Sequence, residues 1–425
     1  MVAVVPRTGV EMNMIFSKVR VERNVQRFQE KRKNGMNAKF SAKCVALVAA
    51  GAMSMSLAAC SGGSMDDSSS SSAKASGDSI TIGTVTTNSG TAAAYGEAEV
   101  KGFELAVSEI NAKGGINGKK VKLESMDDKG DATEASNAYN KLAGDNNVLA
   151  VAGPTISATT AAVAPLADQS KLVTIAPAAT SDSIETGNYL FRTCFKDSYQ
   201  GEVAARFAAE NLKVKKVAVL YGTGDPYSSG VGEAFAKAAE KLGLEVVDKE
   251  SSSSADDTEY SAQLQKIQAA GAEFLYAPYY YSVAGPYIIP QARSVGFEGY
   301  VMGPDGYDGL KLTGDKSQYN KTYYTTHYSA DDNTNTKVQD FIKSYKSKNN
   351  AEPNTFAALG YDTIYMIKQA IEKAGENATR EDVRNAVAGM TFDGVTGKFT
   401  MDKSGSPTKS VTVLEMKDGK PVYNT

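Results

Sequence analysis

The chain has 425 residues, 42% of them hydrophobic, with 46 Lys and Arg against 49 Asp and Glu. That length holds two or three ordinary domains, and the charge balance lacks the basic surplus that nucleic acid demands. One histidine, three cysteines and no tryptophan leave little material for metal centres or for Ser-His and Cys-His catalytic machines.

The first 35 residues carry a basic run (Lys31, Arg32, Lys33) and no apolar core, so translation is expected to begin at Met36. Residues 36 to 60, MNAKFSAKCVALVAAGAMSMSLAAC, combine Lys39 and Lys43, an apolar stretch from Cys44 to Ala59 and a small-residue exit. This is the three-part pattern of a secretion signal; the apolar part is too short for a spanning helix, which takes about 20 residues. The exit Leu57-Ala58-Ala59-Cys60 resembles a bacterial lipobox, which implies that the Cys60 thiol receives diacylglycerol and becomes the mature N-terminus. SGGSMDDSSSSSAKASGD follows as a Ser/Gly tether, about 23 Å long as a random coil. Residues 1 to 59 hold ten Lys and Arg and three Asp and Glu, so from Cys60 onward 36 basic and 46 acidic residues leave a net charge of about −10. Cys60 and Cys194 are the mature cysteines, and with Cys60 lipidated no internal disulfide forms.

From Ser79 strand and helix patterns alternate. ITIGTVTT is β-branched and strand-like. Val100, Phe103, Val107 and Ile110 then recur at helical spacing, and VKLESMDD is a second strand. A helix from Ala132 to Ala143, strand VLAVAG, a helix from Ser157 to Asp168 and strand LVTIAP continue the series. A second series begins after Gln200: helix 201–211 and KVAVLYG, helix 227–242 and LEVVDKE, helix 258–270 and EFLYAP, helix 283–295 and GYVMGPDG. Such alternation predicts an α/β protein with two Rossmann-like lobes, each a mostly parallel sheet flanked by helices. Ligands of open α/β sheets sit beyond the carboxyl ends of the strands, where GPTISATT, APAATSDS, YGTGDPYSS, APYYYS and GPDGYDG fall.

GPTISATT places Thr155, Ser157, Thr159 and Thr160 at a helix start, with no Lys or Arg between Val151 and Gln169. A Walker-type phosphate site would add a Lys, so the expected guest is a smaller anion such as a carboxylate. Tyr221-Gly-Thr-Gly-Asp-Pro-Tyr227 lacks the third glycine of the dinucleotide fingerprint. No HExxH, paired CxxC or EF-hand loop occurs, so no metal and no cofactor is expected. His327 lies in polar TTHYSADD and is expected at the surface or a hinge.

The loops, in order and spacing, resemble those of type I periplasmic binding proteins, specifically the leucine/isoleucine/valine-binding family that feeds ABC importers. The landmarks are AAYGEAEVKGFELAVSEINAKGGINGKKVKL (93 to 123), GPTISATT, APAATSDS, FRTCFKDSYQG (191 to 201), DPYSSG, QAR-x-x-G (291 to 296) and GPDG (303 to 306). The resemblance implies a Venus-flytrap protein with three crossovers, near Ser198 to Gln200, Thr326 to Ala330 and Lys403 to Ser406. Lobe I would be 79–199 plus 330–404, and lobe II 200–329 plus 405–425. It implies a monomeric extracytoplasmic lipoprotein, not an enzyme, that closes on a branched-chain or related amino acid and delivers it to ABC permease membrane subunits. An amide, urea-like or aromatic acid ligand, or a sensory role, is the alternative.

Residue by residue, Ser157 matches the family serine that takes the ligand carboxylate, aided by the helix dipole at about 0.3 to 2 kcal/mol. The Ala178 carbonyl, the Thr180 hydroxyl and Asp305 match the groups that receive the α-ammonium, and Tyr95, Tyr227 and Tyr281 match aromatic walls. Two departures stand out. Asp305 replaces a frequent family Glu and is one methylene shorter, and the family disulfide positions correspond here to Gly130 and Ile156.

Overall fold

The computed structural model describes residues 79–184, 188–330 and 335–423. The signal-like segment, Met36 and Cys60 lie outside the described residues.

Five parallel strands build the first lobe's sheet: β1 (Ser79–Thr86), β2 (Lys120–Asp127), β3 (Val148–Ala152), β4 (Val173–Ala176) and β5 (Leu190–Arg192), in the order β2-β1-β3-β4-β5. Every residue of β3 and β4 is buried, as continuous apolar runs covered by helices on both faces must be. The helix Ala93–Ala112 packs on the helix Thr355–Ala374 with backbones in near contact: a Cβ on Gly102 would lie 2.2 Å from the Ala357 carbonyl oxygen, and one on Gly360 would lie 2.6 Å from that of Glu99. Ile364, Ile367, Ile371 and Val383 from the C-terminal third thus join Ile80, Ile82, Phe103 and Ile175 in one core.

The second lobe's sheet contains β6 (Lys216–Gly222), β7 (Glu245–Ser252), β8 (Phe274–Tyr276), β9 (Tyr300–Gly303) and β10 (Thr322–Thr326), all parallel. A small antiparallel sheet of β11 (Thr391–Gly394), β12 (Gly397–Met401) and β13 (Pro407–Thr408) precedes β14 (Thr412–Lys417) and β15 (Lys420–Tyr423). These last two strands run antiparallel and add to β10, giving the order β15-β14-β10-β9-β8-β6-β7.

The chain passes between the lobes three times: between β5 and β6, between β10 and the helix Thr336–Asn349, and between β13 and β14. At the last passage β13 still pairs with β12, and the Gly405 carbonyl accepts from the Arg192 amide of β5, so the chain leaves the first lobe's side after Thr408. The helix expected over 283–295 begins at Tyr281 and widens to a π turn over Ala284–Ile288 before resuming at Ile289–Ser294. Within this turn Gly285 passes so near the Lys311 backbone that a Cβ would lie 2.4 Å from its carbonyl oxygen.

Candidate ligand site

On the first lobe the site starts at Gly153, whose φ of +120° and a Cβ position 1.9 Å from the Val85 carbonyl oxygen require glycine. Thr155 follows, its Oγ1 accepting from the Thr87 amide at 3.1 Å and donating to Glu99 Oε2 at 2.6 Å. The helix Ser157–Ser170 then begins without a side-chain cap and without an acid in its first turn, so no residue of that turn offsets the positive end of its dipole. Ser157 Oγ accepts from the Ser181 amide at 3.1 Å. Buried Arg192 fixes the loop after β4 by donating to the Thr180 and Ser181 carbonyls at 2.7 and 2.9 Å.

On the second lobe Asp225 caps the helix Pro226–Lys241 through the amides of Tyr227 and Ser228. This aims the Tyr227 hydroxyl at Asp305, where it donates to Oδ1 at 2.8 Å and accepts from the Gly306 amide at 2.8 Å. Gln200 binds Asp305 twice: its Nε2 donates to Oδ1 and its Oε1 accepts from the Asp305 amide, both at 3.2 Å. The same Nε2 donates to Asp197 Oδ1 at 2.9 Å. His327 Nε2 lies 3.2 Å from Asp305 Oδ2.

The lobes meet across this site. The Tyr95 hydroxyl donates to the Gly306 carbonyl and accepts from the Tyr281 amide at 3.0 Å, the Ala94 amide donates to the Tyr281 hydroxyl at 3.2 Å, and Ser282 Oγ donates to the Thr91 carbonyl at 2.7 Å. Between them lies a small cavity of about 20 Å³, room for little more than a water molecule in this closed form. Of the residues expected from sequence, Tyr95, Ser157, Ala178, Tyr227 and Asp305 line it. Thr180 is fully buried and off the lining, its hydroxyl beside the Asp197 carboxyl.

Tyr281 stands behind the wall, its ring 5.0 Å from that of Tyr95, and its neighbour Tyr280 faces the cavity instead, stacked on Tyr227 at 5.4 Å. Sequence reasoning named Thr155 only as one of the hydroxyls at the helix start and gave no site role to Ile156, Tyr280, Gly306 and Phe356. Phe356, whose ring stacks 3.9 Å from that of Tyr95, stands just inside the helix capped by Asn354. The Asn-cap signal in PNTFAALGYD was readable, but not the packing of that helix against Ala93–Ala112. Gly130 and Ile156 are neighbours, a Cβ on the glycine lying 3.9 Å from Ile156 Cδ1, so an apolar contact stands where the family resemblance puts a disulfide.

Of the surface or hinge position expected for His327, the hinge holds and the surface does not: it is buried beside the second passage, its ring 3.6 Å from that of Phe195. Burial pushes its pKa down to about 4, against the hydrogen bond to Asp305. The neutral ring, with Nδ1 unpartnered, carries its proton on Nε2 and donates to Asp305. Every side-chain hydrogen bond that the described residues give the Asp305 carboxyl therefore comes from a neutral group. Burial also pushes the Asp197 carboxyl well above its usual range; the Thr180 hydroxyl beside it pulls down and Asp305 pushes up. Among the described residues no group of three or more His, Cys, Asp and Glu could hold a metal ion.

The depressed His327 pKa has a definite sign. Between the unfolded value near 6.5 and the folded value near 4 the unfolded chain binds the extra proton, so this residue's contribution is full above pH 6.5 and is lost as pH falls toward 4. Asp308, pushed up to about 6 by burial, works in the opposite direction, so the comparison isolates the histidine. His327→Gln is expected to lose about 2 kcal/mol less stability than wild type between pH 7 and pH 5 in urea titrations. Equal losses would mean that the imidazole is not held neutral.

Residues 79–421 match the model of a family described as Periplasmic binding protein. The chain is 31% identical over 350 residues to Leu/Ile/Val-binding protein homolog 3 of Brucella melitensis, covering 81% of this chain and 93% of that protein. It is likewise 31% identical over 333 residues to the leucine-, isoleucine-, valine-, threonine-, and alanine-binding protein of Pseudomonas aeruginosa, covering 77% and 87%. Among solved structures it resembles the branched-chain amino acid transporter substrate binding protein LivJ of Streptococcus pneumoniae in complex with isoleucine, with 33% identity, a TM-score of 0.75 and coverage of 81% and 97%. With two parallel-sheet lobes, a cavity between them and a family match across nearly all of the described residues, the chain belongs to the periplasmic binding protein family.

Proposed function

We propose that the protein captures a branched-chain amino acid (leucine, isoleucine or valine) between its lobes outside the cytoplasm and delivers it to an ABC importer. The observation that carries this reading is the asymmetry of the cavity. One end is an uncapped helix start with Ser157 and no acid; the other is buried Asp305, hydrogen-bonded by neutral groups. A zwitterion supplies what each end lacks. The Ser157 hydroxyl and the helix-start amides take the carboxylate. Asp305 and the Ala178 carbonyl take the ammonium, while Tyr95, Tyr227, Tyr280 and Phe356 close around the side chain.

A lobe closing on such a ligand joins Ser157 on one side to Asp305 on the other, so the closed form is favoured by the charges the ligand brings. Micromolar binding would be about −8 kcal/mol, about −0.9 per heavy atom of leucine, within the ceiling for very small ligands. The names of the relatives support the class. They differ on threonine, so the edge of the ligand set is open for this chain.

A thermal-shift screen of the twenty amino acids tests the reading. Leucine, isoleucine and valine at 100 times their dissociation constants should each stabilise by about 2.7 kcal/mol; a screen in which no amino acid raises the melting temperature would overturn it.

We also propose that lipidated Cys60 anchors a monomer to the outer face of the membrane, where it meets the permease. Cys60→Ser is expected to move the protein from the membrane fraction to the medium with ligand affinity unchanged. A variant that stays membrane-bound would remove the lipid anchor from the proposal.

A further inference from the structure

If the polar ends of an amino acid are held at Ser157, Ala178 and Asp305, its side chain is left with Tyr95, Tyr227, Tyr280, Phe356, Ile156 and Thr155. Thr155 is the ambiguous member of this set, since a threonine shows a neighbour either a hydroxyl or a methyl according to its rotamer. Here its hydroxyl is committed. The one proton goes to Glu99 Oε2 at 2.6 Å, and the oxygen accepts from the Thr87 amide at 3.1 Å. Both partners are buried, as is Thr155 itself.

Glu99 stands one helical turn after Tyr95 on the helix Ala93–Ala112, so one face of that helix provides an aromatic wall and, behind the cavity, an acceptor. Glu99 is an expensive residue for the place. It is fully buried, its Oε1 has no partner, and burial pushes its carboxyl well above the ordinary range, against the hydrogen bond from Thr155. An apolar side chain would fill the same volume without that desolvation cost. What it would not do is hold the Thr155 hydroxyl away from the ligand.

We infer that Glu99, acting through Thr155, makes this part of the cavity a methyl surface and thereby selects aliphatic side chains over hydroxylated ones of the same size. The inference rests on the amino-acid reading above and goes beyond it by placing the edge of the ligand set. Glu99 is a positioning residue in this scheme, as it touches Thr155 and not the ligand.

Valine and threonine form the test pair, because they differ by a methyl in place of a hydroxyl. Calorimetric titration of the purified chain with both should show wild type preferring valine by about tenfold to a hundredfold, the limit for rejecting an added hydroxyl in an apolar pocket. Thr155→Val should keep that ratio within threefold, since the ligand does not meet the hydroxyl. Glu99→Gln, which still offers a carbonyl to Thr155, should keep it too. Glu99→Ala releases the hydroxyl and should improve threonine relative to valine by fivefold or more.

The ratio is taken within one protein, so a lower folded fraction cancels from it; if Glu99→Ala does not fold, Glu99→Leu, which fills the volume and offers no acceptor, takes its place with the same expected improvement. A wild type indifferent between the two ligands, a Thr155→Val or Glu99→Gln ratio outside threefold, or a Glu99→Ala ratio equal to wild type would overturn the inference while leaving the amino-acid reading intact. A wild type that binds no amino acid would overturn both.

Discussion

Asp305→Ala is expected to weaken leucine binding by about 30-fold to several thousand-fold, corresponding to about 2 to 5 kcal/mol for truncating one partner of a buried hydrogen-bonded charge pair. The residue is 2% exposed, so the ligand ammonium would remain desolvated against Tyr227, Gln200 and a histidine that burial keeps neutral. None of these carries a compensating charge. Ser157→Ala is the matched loss at the carboxylate end and should cost less, because the helix-start amides remain. Calorimetric titration with leucine, isoleucine and valine reads both effects. A loss below threefold for Asp305→Ala, in a protein whose wild type binds leucine, would remove Asp305 from the ammonium site.

The second large effect concerns stability. Gly153→Ala should destabilise the chain by about 4 kcal/mol or more, the range reserved for steric conflict at a special backbone geometry. A methyl there would lie 1.9 Å from the Val85 carbonyl oxygen of the neighbouring central strand, at a φ of +120°, and a backbone atom cannot swing aside as a side-chain tip can. Gly114→Ala is the control. Its φ is +102°, yet nothing lies within 4 Å of the added carbon, so it isolates the conformational cost of about 1 to 3 kcal/mol. Urea unfolding of the two variants separates clash from conformation; equal losses would mean that the β1–β3 contact relaxes freely.

The two-lobed fold was legible because strands and helices alternate with clear apolar periods, and because the loops that matter carry Gly, Pro, Ser and Thr at strand ends. The polar side of the candidate site was legible for the same reason: GPTISATT and GPDG end buried strands. Its aromatic side was not. In APYYYS three tyrosines follow one another just where the two-residue alternation of a strand gives way to a helical turn at Tyr281, so the period that would assign faces is lost. Phe356 belongs to a helix far along the chain, and no local pattern says that it will stack on Tyr95. His327 sits among polar neighbours that suggest solvent, yet its burial comes from Phe195 and Asp305, which are remote in sequence.

The order of the second sheet bears on how the chain is made. Its last two strands, β14 and β15, come from residues 412–423, and the first lobe's core takes Ile364, Ile367 and Val383 from the same late part of the chain. A polypeptide that emerges amino end first therefore completes neither core until nearly all of it has been delivered. Until β14 arrives, β10, with its Tyr323-Tyr324 pair, presents an unpaired edge of the kind that recruits other strands. Closing such long loops is entropically slow. If the chain is exported as proposed above, the delay is useful, since a chain that folds late is still unfolded when it crosses a membrane. The same delay makes the interval just after release the period when it most needs protection from its own copies.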